Sequence, residues 1–369
     1  MLSRRGFFLT CGGCAVAASA GSLGGRRALA GGAPRAFPAR FWKKLPGKRV
    51  ECQLCPKHCQ VDDRERGFCG VRENRGGEYF TLVWGQPCAV HVDPIEKKPF
   101  FHFRPGSRAF SIATAGCNME CKCCQNWDIS QSRPEDVDFH FMPPDEVVAM
   151  AKGYGACVTF TYSEPIVFLE YCIDTAKAAH KAGVAATMVT GGSGEAAPMQ
   201  EVLEHLDAIK VDLKGFDEDY YRRLCKGELK PVLKTLEVIA RSGVWLELVH
   251  LCIPGQNDGE KEIRAMCRWV KGHLGRDVPL HFTRFHPEYQ MKNVPPTPNA
   301  TLIRCREIGM AEGLRFVYTG NVPGLSGEDT ICPSCGKTVV ARRGFELEGM
   351  HIKNGRCEFC GFGIPGVWS

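Results

Sequence analysis

Short apolar runs rich in β-branched and aromatic residues alternate with longer stretches of helical period from about residue 106 to residue 320. The runs fall at 110–115, 157–162, 186–190, 208–213, 245–253 and 280–285, and each predicts a strand. Segments 144–152, 165–182 and 261–271 repeat apolar residues at spacings of three and four, which predicts helices between the strands. Six successive β-α units predict an α/β fold with a parallel sheet and outer helices, either an open doubly wound sheet or a partial barrel. Both architectures gather function where the strands end. No long Pro/Ser-rich linker interrupts this core, so it reads as one domain.

Composition changes the picture at the amino terminus. Of 369 residues, 44% are hydrophobic and 24% charged, an ordinary globular balance that excludes disorder and coiled coil. The formal charge of +6 is concentrated, because Arg4, Arg5, Arg26 and Arg27 stand in residues 1–30 without an acid. The remaining body is nearly neutral, so charge predicts no nucleic-acid partner. Ser3-Arg4-Arg5-Gly6-Phe7-Phe8-Leu9, a weakly apolar Ala/Gly stretch and Ala28-Leu29-Ala30 resemble a twin-arginine (Tat) export signal. That resemblance predicts export of the folded protein to the periplasm; if the leader is not a signal, the protein stays cytoplasmic. Residues 6–25 carry six glycines and few large apolar side chains, so no integral membrane segment is expected.

Cysteine is out of proportion, at 21 residues in a chain too large to need disulfide staples. Directly after the first predicted strand, Cys117, Cys121 and Cys124 have C-x3-C-x2-C spacing. Such a loop suits three corners of a cubane iron-sulfur cluster and leaves the fourth iron open, as catalytic metal sites keep a free position. Cys332-Pro333-Ser334-Cys335-Gly336 and Cys357-Glu358-Phe359-Cys360-Gly361 are two C-x2-C-G knuckles, spaced like a four-cysteine zinc ribbon, with rubredoxin-like iron as the competing occupant. Cys52, Cys55, Cys59 and Cys69 supply four thiolates in C-x2-C-x3-C-x9-C spacing, a closed site for zinc or a second iron-sulfur cluster. Cysteines 88, 157, 172, 225, 252, 267 and 305 mostly read as small buried hydrophobes, Cys225 least comfortably because charged residues flank it. These features divide the chain into a signal at 1–30, a Cys-rich segment at 31–105, a core at 106–325 and a ribbon at 326–369.

Around the three-cysteine loop, Gly116-Cys117-Asn118-Met119-Glu120-Cys121-Lys122-Cys123-Cys124-Gln125-Asn126-Trp127, the chain resembles the radical S-adenosylmethionine (radical SAM) superfamily. It is similar to the branch of pyruvate formate-lyase activating enzyme and, within that, to the AmmeMemoRadiSam-system enzymes. Further matches are Asp93-Pro94-Ile95-Glu96-Lys97-Lys98-Pro99, Thr161-Tyr162-Ser163-Glu164-Pro165, Ile253-Pro254-Gly255-Gln256-Asn257-Asp258 and Ile364-Pro365-Gly366-Val367-Trp368. Together they cover residues 49–369. One position departs from the pattern: Cys123 stands where the family usually carries an aromatic residue.

The resemblance implies a partial (β/α)6 TIM-like barrel with a [4Fe-4S] cluster on Cys117, Cys121 and Cys124. It implies S-adenosylmethionine contacts at Asn126, Ser163, Glu164, Thr190, Gly191, Asp212, Lys214, Pro254 and His286, all in the cluster loop or at predicted strand ends. It also implies reductive cleavage of S-adenosylmethionine to a 5'-deoxyadenosyl radical that takes hydrogen from a protein, peptide or other substrate. A reductant such as flavodoxin or ferredoxin, and AMMECR-like and Memo-like partners, belong to the same implication. No residue identifies the substrate or a catalytic side chain. The competing reading is a non-catalytic electron carrier or metal carrier, which has no use for a three-thiolate loop because such proteins saturate every iron.

Overall fold

The protein is described by a computed structural model over residues 34–369, so the predicted export signal lies outside the described residues. Its centre is an eight-stranded sheet: β1 Ala89–Pro94, β2 Arg108–Ala113, β3 Ala156–Phe160, β4 Ala186–Thr190, β5 Ala208–Asp212, β6 Trp245–Cys252, β7 Leu280–Arg284 and β8 Val317–Gly320. Spatial order follows chain order, with β1 antiparallel to β2 and every later neighbour parallel. Parallel neighbours need a crossover at each step. Helices α1 Pro144–Gly153, α2 Leu169–Lys181, α3 Ala196–Leu203, α4 Leu229–Ser242, α5 Glu260–His273 and α6 Asn299–Ala311 supply the crossovers. In α4, Leu229, Val232, Leu236 and Ile239 form one buried stripe, and Gly243 at φ +84° ends the helix in the left-handed region.

The six predicted β-α units are present, β2 to β7 each followed by a helix, and two unpredicted edge strands add to them. The sheet has seven parallel strands and an antiparallel edge strand, and it does not close, because β1 and β8 are its two free edges. Sequence patterning passed over both. β1 is half-exposed, without an apolar run, and comes from within the Cys-rich segment; β8 has only four residues.

Strand alternation decides what faces inward. In β5, Ile209 and Val211 join the apolar core, while Lys210 and Asp212 line an interior cavity. Val249 and Leu251 of β6 and Thr283 of β7 line the same cavity. Deeper, toward the strand beginnings, Glu247 is fully buried and accepts from the amides of Phe101 (3.0 Å) and His102 (2.8 Å), Trp245 Nε1 (3.0 Å) and His281 Nε2 (2.8 Å).

The two ends of the chain pack onto this core. Arg72 of the amino-terminal segment meets Glu170 of α2 at 2.9 Å, with both side chains buried. At the other end, sheet strands Thr330–Ile331, Thr338–Arg343 and Glu346–Met350 form a unit whose core includes Phe101, Phe316, Tyr318, Val339 and Val340. The chain end then returns beneath the barrel, where Val367 N donates to His102 O (2.7 Å) and Arg104 N donates to Val367 O (2.6 Å). Among the described residues, no helix is long and apolar enough to cross a membrane.

His102 joins these parts. Its Nδ1 donates to Pro365 O (2.6 Å) and its Nε2 accepts from the Tyr318 hydroxyl (2.6 Å). Burial pushes its pKa down from 6.5 to about 4, so the folded ring is neutral. The unfolded chain takes up this proton near pH 6.5 while the folded ring refuses it, so stability is complete above that pH and falls as the pH drops toward 4. We expect a loss of about 2 kcal/mol between about pH 6.5 and pH 5. Denaturant midpoints across that range should show it in the wild type. His102→Asn should lose part of the acid sensitivity and keep the part due to His250 and His281, whose pKa values burial also pulls down.

Candidate active site

Past the end of β2 the chain enters the cysteine loop through Gly116, at φ +93°. A Cβ there would stand 2.5 Å from Val71 Cγ1 and 2.8 Å from Cys69 O, so only glycine fits between the loop and the amino-terminal segment. The loop is pinned on its other side by Glu120 N to Cys225 O (3.0 Å) and Lys122 N to Leu224 O (2.8 Å). Met119 N donates to Cys117 Sγ (3.3 Å), and Cys124 Sγ lies 3.2 Å from Ser130 Oγ. Cys117, Cys121 and Cys124 all line one cavity of about 410 Å³, large enough for a nucleoside-sized ligand.

Carboxylates and lysines from successive strand ends complete the rim. Glu164, just past β3, is buried; its Oε1 accepts from Thr190 Oγ1 (2.5 Å) and Ile166 N (3.2 Å), and its Oε2 accepts from Gly191 N (2.8 Å). It thereby ties the ends of β3 and β4 together. Burial pushes its carboxyl pKa up against these bonds. Asp212 sits between Lys210, which is hydrogen-bonded to Oδ1, and Lys214, whose Nζ is 3.4 Å from Oδ2. Burial would raise the Asp212 pKa, but the two lysines outweigh it and hold the carboxyl below its usual range. Lys214 also faces Cys121. A hydrogen bond from Cys225, together with Lys214, outweighs burial and holds the Cys121 thiol below its ordinary pKa, which favours thiolate.

A second knot of charge comes from the edge strand. Asp93 accepts from Lys97 Nζ (2.8 Å), Lys98 Nζ (2.6 Å), the Tyr162 hydroxyl (2.5 Å) and Ser111 Oγ (3.1 Å). Tyr162 has φ +65°, unusual for an aromatic residue. Asn126 holds that turn by donating to Tyr162 O (3.0 Å), and Lys98 Nζ lies 4.1 Å from the tyrosine ring centroid.

With a three-thiolate loop at the end of the first parallel strand and charged groups on the following strand ends, comparison with known proteins is decisive. The profile of the radical SAM superfamily matches residues 111–267. The chain belongs to the radical SAM superfamily. An uncharacterised protein of Methanocaldococcus jannaschii is 40% identical over 326 residues, 88% of this chain and 97% of its own length. The pyruvate formate-lyase-activating enzyme of Clostridium pasteurianum is 24% identical over 170 residues, 45% of this chain and 71% of that enzyme. A solved domain of the pyruvate-formate lyase-activating enzyme from Bacteroides vulgatus is 20% identical, with a TM-score of 0.41 over 45% of this chain and 100% of that domain.

Membership in the radical SAM superfamily implies a [4Fe-4S] cluster and S-adenosylmethionine, and the residues present fit both. Three sulfurs from one loop face the cavity, more widely spread than ligands of a single ion. Ser163 Oγ, in the lining, is buried without a hydrogen-bond partner. Of the residues read from the sequence, Asn126, Ser163, Glu164, Thr190, Gly191, Asp212 and Lys214 line this cavity with the three cysteines. Pro254 and His286 follow their strands as expected but are not in the lining; Pro254 is half-buried and His286 exposed. Sequence reading did not single out Lys98, Lys210, Asn321 or Phe345 as site residues, yet all four line the cavity. Lys210 left a signal, a charge inside the otherwise apolar start of β5. Phe345 left none, since it reaches the cavity from the carboxyl-terminal unit. Cys225 is buried as read, and its carbonyl and thiol both hold the cysteine loop.

The carboxyl-terminal cysteines have a different geometry. The sulfurs of Cys332, Cys335, Cys357 and Cys360 all lie within 4.8 Å of one another. Cys332 and Cys360 are 3.6 Å apart, and Cys335 and Cys357 are 3.8 Å apart. Metal-sulfur bonds of about 2.3 Å in a tetrahedron give sulfur separations of about 3.8 Å, so this set fits one ion.

The Asp93 knot yields a stability test. Burial pushes Asp93 up, but Lys97, Lys98 and Tyr162 outweigh it and hold the carboxyl well below the usual range. Burial pulls Lys98 down to about 8, which leaves it charged at neutral pH. Asp93→Asn strands that buried ammonium and should cost about 3 to 5 kcal/mol in denaturant unfolding. Adding Lys98→Met to Asp93→Asn should recover most of the loss.

Proposed function

We propose that the protein cleaves S-adenosylmethionine reductively and abstracts hydrogen from a protein or peptide substrate. The observation that carries this reading is the three-thiolate loop, opening on a cavity whose rim carries Glu164, Asp212 and Lys214. When bound, a cluster with an open iron and S-adenosylmethionine supplies the electron and the scissile sulfur-carbon bond for radical formation. The chain's own residues hold and orient. Lys214 offsets the thiolate charge, the Ser163 hydroxyl and the free lone pairs of Glu164 and Asp212 receive the cofactor's ammonium, and the enclosing strands exclude water.

Residues following both free edges, Lys97 to Pro99 after β1 and Asn321 after β8, line the cavity together with Phe345. This open flank supports entry of an extended substrate such as a peptide segment. Two C-x2-C-G knuckles and tetrahedral sulfur spacing support zinc at the carboxyl-terminal site. Family resemblance supports flavodoxin or ferredoxin as reductant and AMMECR-like and Memo-like partners, and the Arg4-Arg5 leader supports delivery to the periplasm.

The electron-carrier reading draws on one observation, that Cys123 also lines the cavity and offers a fourth thiol. The two readings separate experimentally. Anaerobic, dithionite-reduced protein should convert S-adenosylmethionine to methionine and 5'-deoxyadenosine slowly even without substrate. Cys121→Ala should abolish this, while Cys123→Ala should keep the cluster. Glu164→Gln should weaken cofactor binding by about 1 to 3 kcal/mol, roughly five- to 150-fold. An intact cluster with saturating S-adenosylmethionine and no 5'-deoxyadenosine would favour the electron carrier.

Cys357→Ser should release the carboxyl-terminal zinc and expose residues 326–369 to limited proteolysis, with the cluster absorption unchanged. A protease-resistant carboxyl terminus after zinc loss would show that the metal is not what folds it.

A further inference from the structure

We propose that Cys52, Cys55, Cys59 and Cys69 hold a second [4Fe-4S] cluster, packed against the loop that carries Cys117. All four line one enclosed cavity with Leu54, Ile166, Val167, Tyr79 and Asn118. The same molecule provides the standard for a single ion, since the carboxyl-terminal sulfurs converge within 4.8 Å. No three sulfurs of the 52–69 set converge in that way, and neither do those of Cys117, Cys121 and Cys124. In spread, the amino-terminal set therefore belongs with the cluster loop. Thiolates on separate corners of a cubane stand farther apart than thiolates sharing one ion.

Unused hydrogen-bond donors point the same way. Tyr79 and Arg72 line this cavity, and Tyr79 Oη and Arg72 Nε are buried with no acceptor within the protein. An unmade buried hydrogen bond is costly, so two unused donors in one cavity require an explanation. A cubane brings bridging sulfides that accept hydrogen bonds; a zinc ion adds no acceptor beyond its thiolates. Backbone amides already face each cysteine sulfur: Phe68 N to Cys59 Sγ at 3.4 Å, and the amides of Leu54, Lys57 and Val71 toward Cys52, Cys55 and Cys69. Such donors stabilise the charge of a thiolate-bound centre.

The site touches the catalytic loop directly. Asn118, next to Cys117, hydrogen-bonds Cys55 and also donates to Ser193 O (2.7 Å), while Cys69 O faces Gly116. With all four irons bound to thiolate, this cluster leaves no iron open to a substrate, so the chemistry it offers is one-electron exchange. The site is read from its own residues; only its meaning as neighbour of the S-adenosylmethionine site rests on the proposed function.

The test is metal and sulfide analysis of the full chain purified and reconstituted without oxygen. The wild type should hold about eight irons, about eight acid-labile sulfides and about one zinc. Changing Cys117, Cys121 and Cys124 together to Ala should leave about four irons and four sulfides, with a reduced-cluster electron paramagnetic resonance signal that S-adenosylmethionine does not alter. Two zincs and no iron in that variant would overturn the assignment. Should the variant fail to fold, wild type with about four irons and two zincs would overturn it equally. Production of 5'-deoxyadenosine by the wild type reports separately on the proposed function. A four-iron, two-zinc protein that cleaves S-adenosylmethionine refutes only this second cluster, and an eight-iron protein that does not cleave it refutes only the catalytic reading.

Discussion

Taking a carboxylate or an ammonium from water into a protein interior costs several kcal/mol unless an opposite charge and hydrogen bonds meet it there. The strands of this sheet turn Lys210, Asp212, Glu247 and His281 away from the outer helices, and each must be met. Asp212 is met by lysines on either side of it, and Glu247 by four donors. The need for partners explains why the core is not self-sufficient. Two of Glu247's four donors are the amides of Phe101 and His102, in the segment joining β1 to β2, and the His102 ring is held in turn by the chain end at Pro365. The edge strand brings Asp93 to a buried lysine and to a tyrosine in a strained conformation.

Cysteine geometry adds a distinction that spacing along the chain does not contain. C-x2-C occurs in both amino-terminal and carboxyl-terminal sets, because any tight turn can present two thiols to one centre. What differs is convergence. A single tetrahedral ion draws four sulfurs to separations near those of Cys332 to Cys360 and Cys335 to Cys357, whereas a cluster interposes its own atoms and keeps the sulfurs apart. The glycines after each carboxyl-terminal knuckle, at φ +70° for Gly336 and +76° for Gly361, permit the turns that make such convergence possible.

Most of the sheet was legible because its inner strands carry apolar runs facing the helices, and those runs are a property of neighbouring residues. β4 was read at its observed bounds, Ala186–Thr190. The edge strands were not legible: β1 faces the core with few of its residues, and β8 is too short to show a period. At the site, the cysteine loop was legible from spacing, and Glu164, Asp212 and Lys214 from the family resemblance. Lys98 and Phe345 were not, since they reach the cavity only because the barrel stays open and lets the carboxyl-terminal unit approach. Pro254 and His286 also follow strand ends but stand outside the lining, so a position at a strand end does not by itself give a place in the cavity.

The unclosed seam also changes how the carboxyl-terminal unit should be understood. Leu347 Cδ2 would stand 3.0 Å from a Cβ on Gly106, just before β2, and Pro323, beyond β8, faces Gly344. Arg342, buried, donates to Phe101 O at 2.6 Å and to Thr330 Oγ1 at 2.9 Å. The hairpin from Thr338 to Met350 therefore touches segments beside both ends of the sheet, and its turn places Phe345, 43% exposed, in the cavity lining. A barrel closed by strand pairing would need no such element and would leave no open flank. Here a unit whose core includes Phe101, Phe316 and Tyr318 lies along the seam, so the shape of the cavity's open side depends on residues far from the cluster loop in sequence.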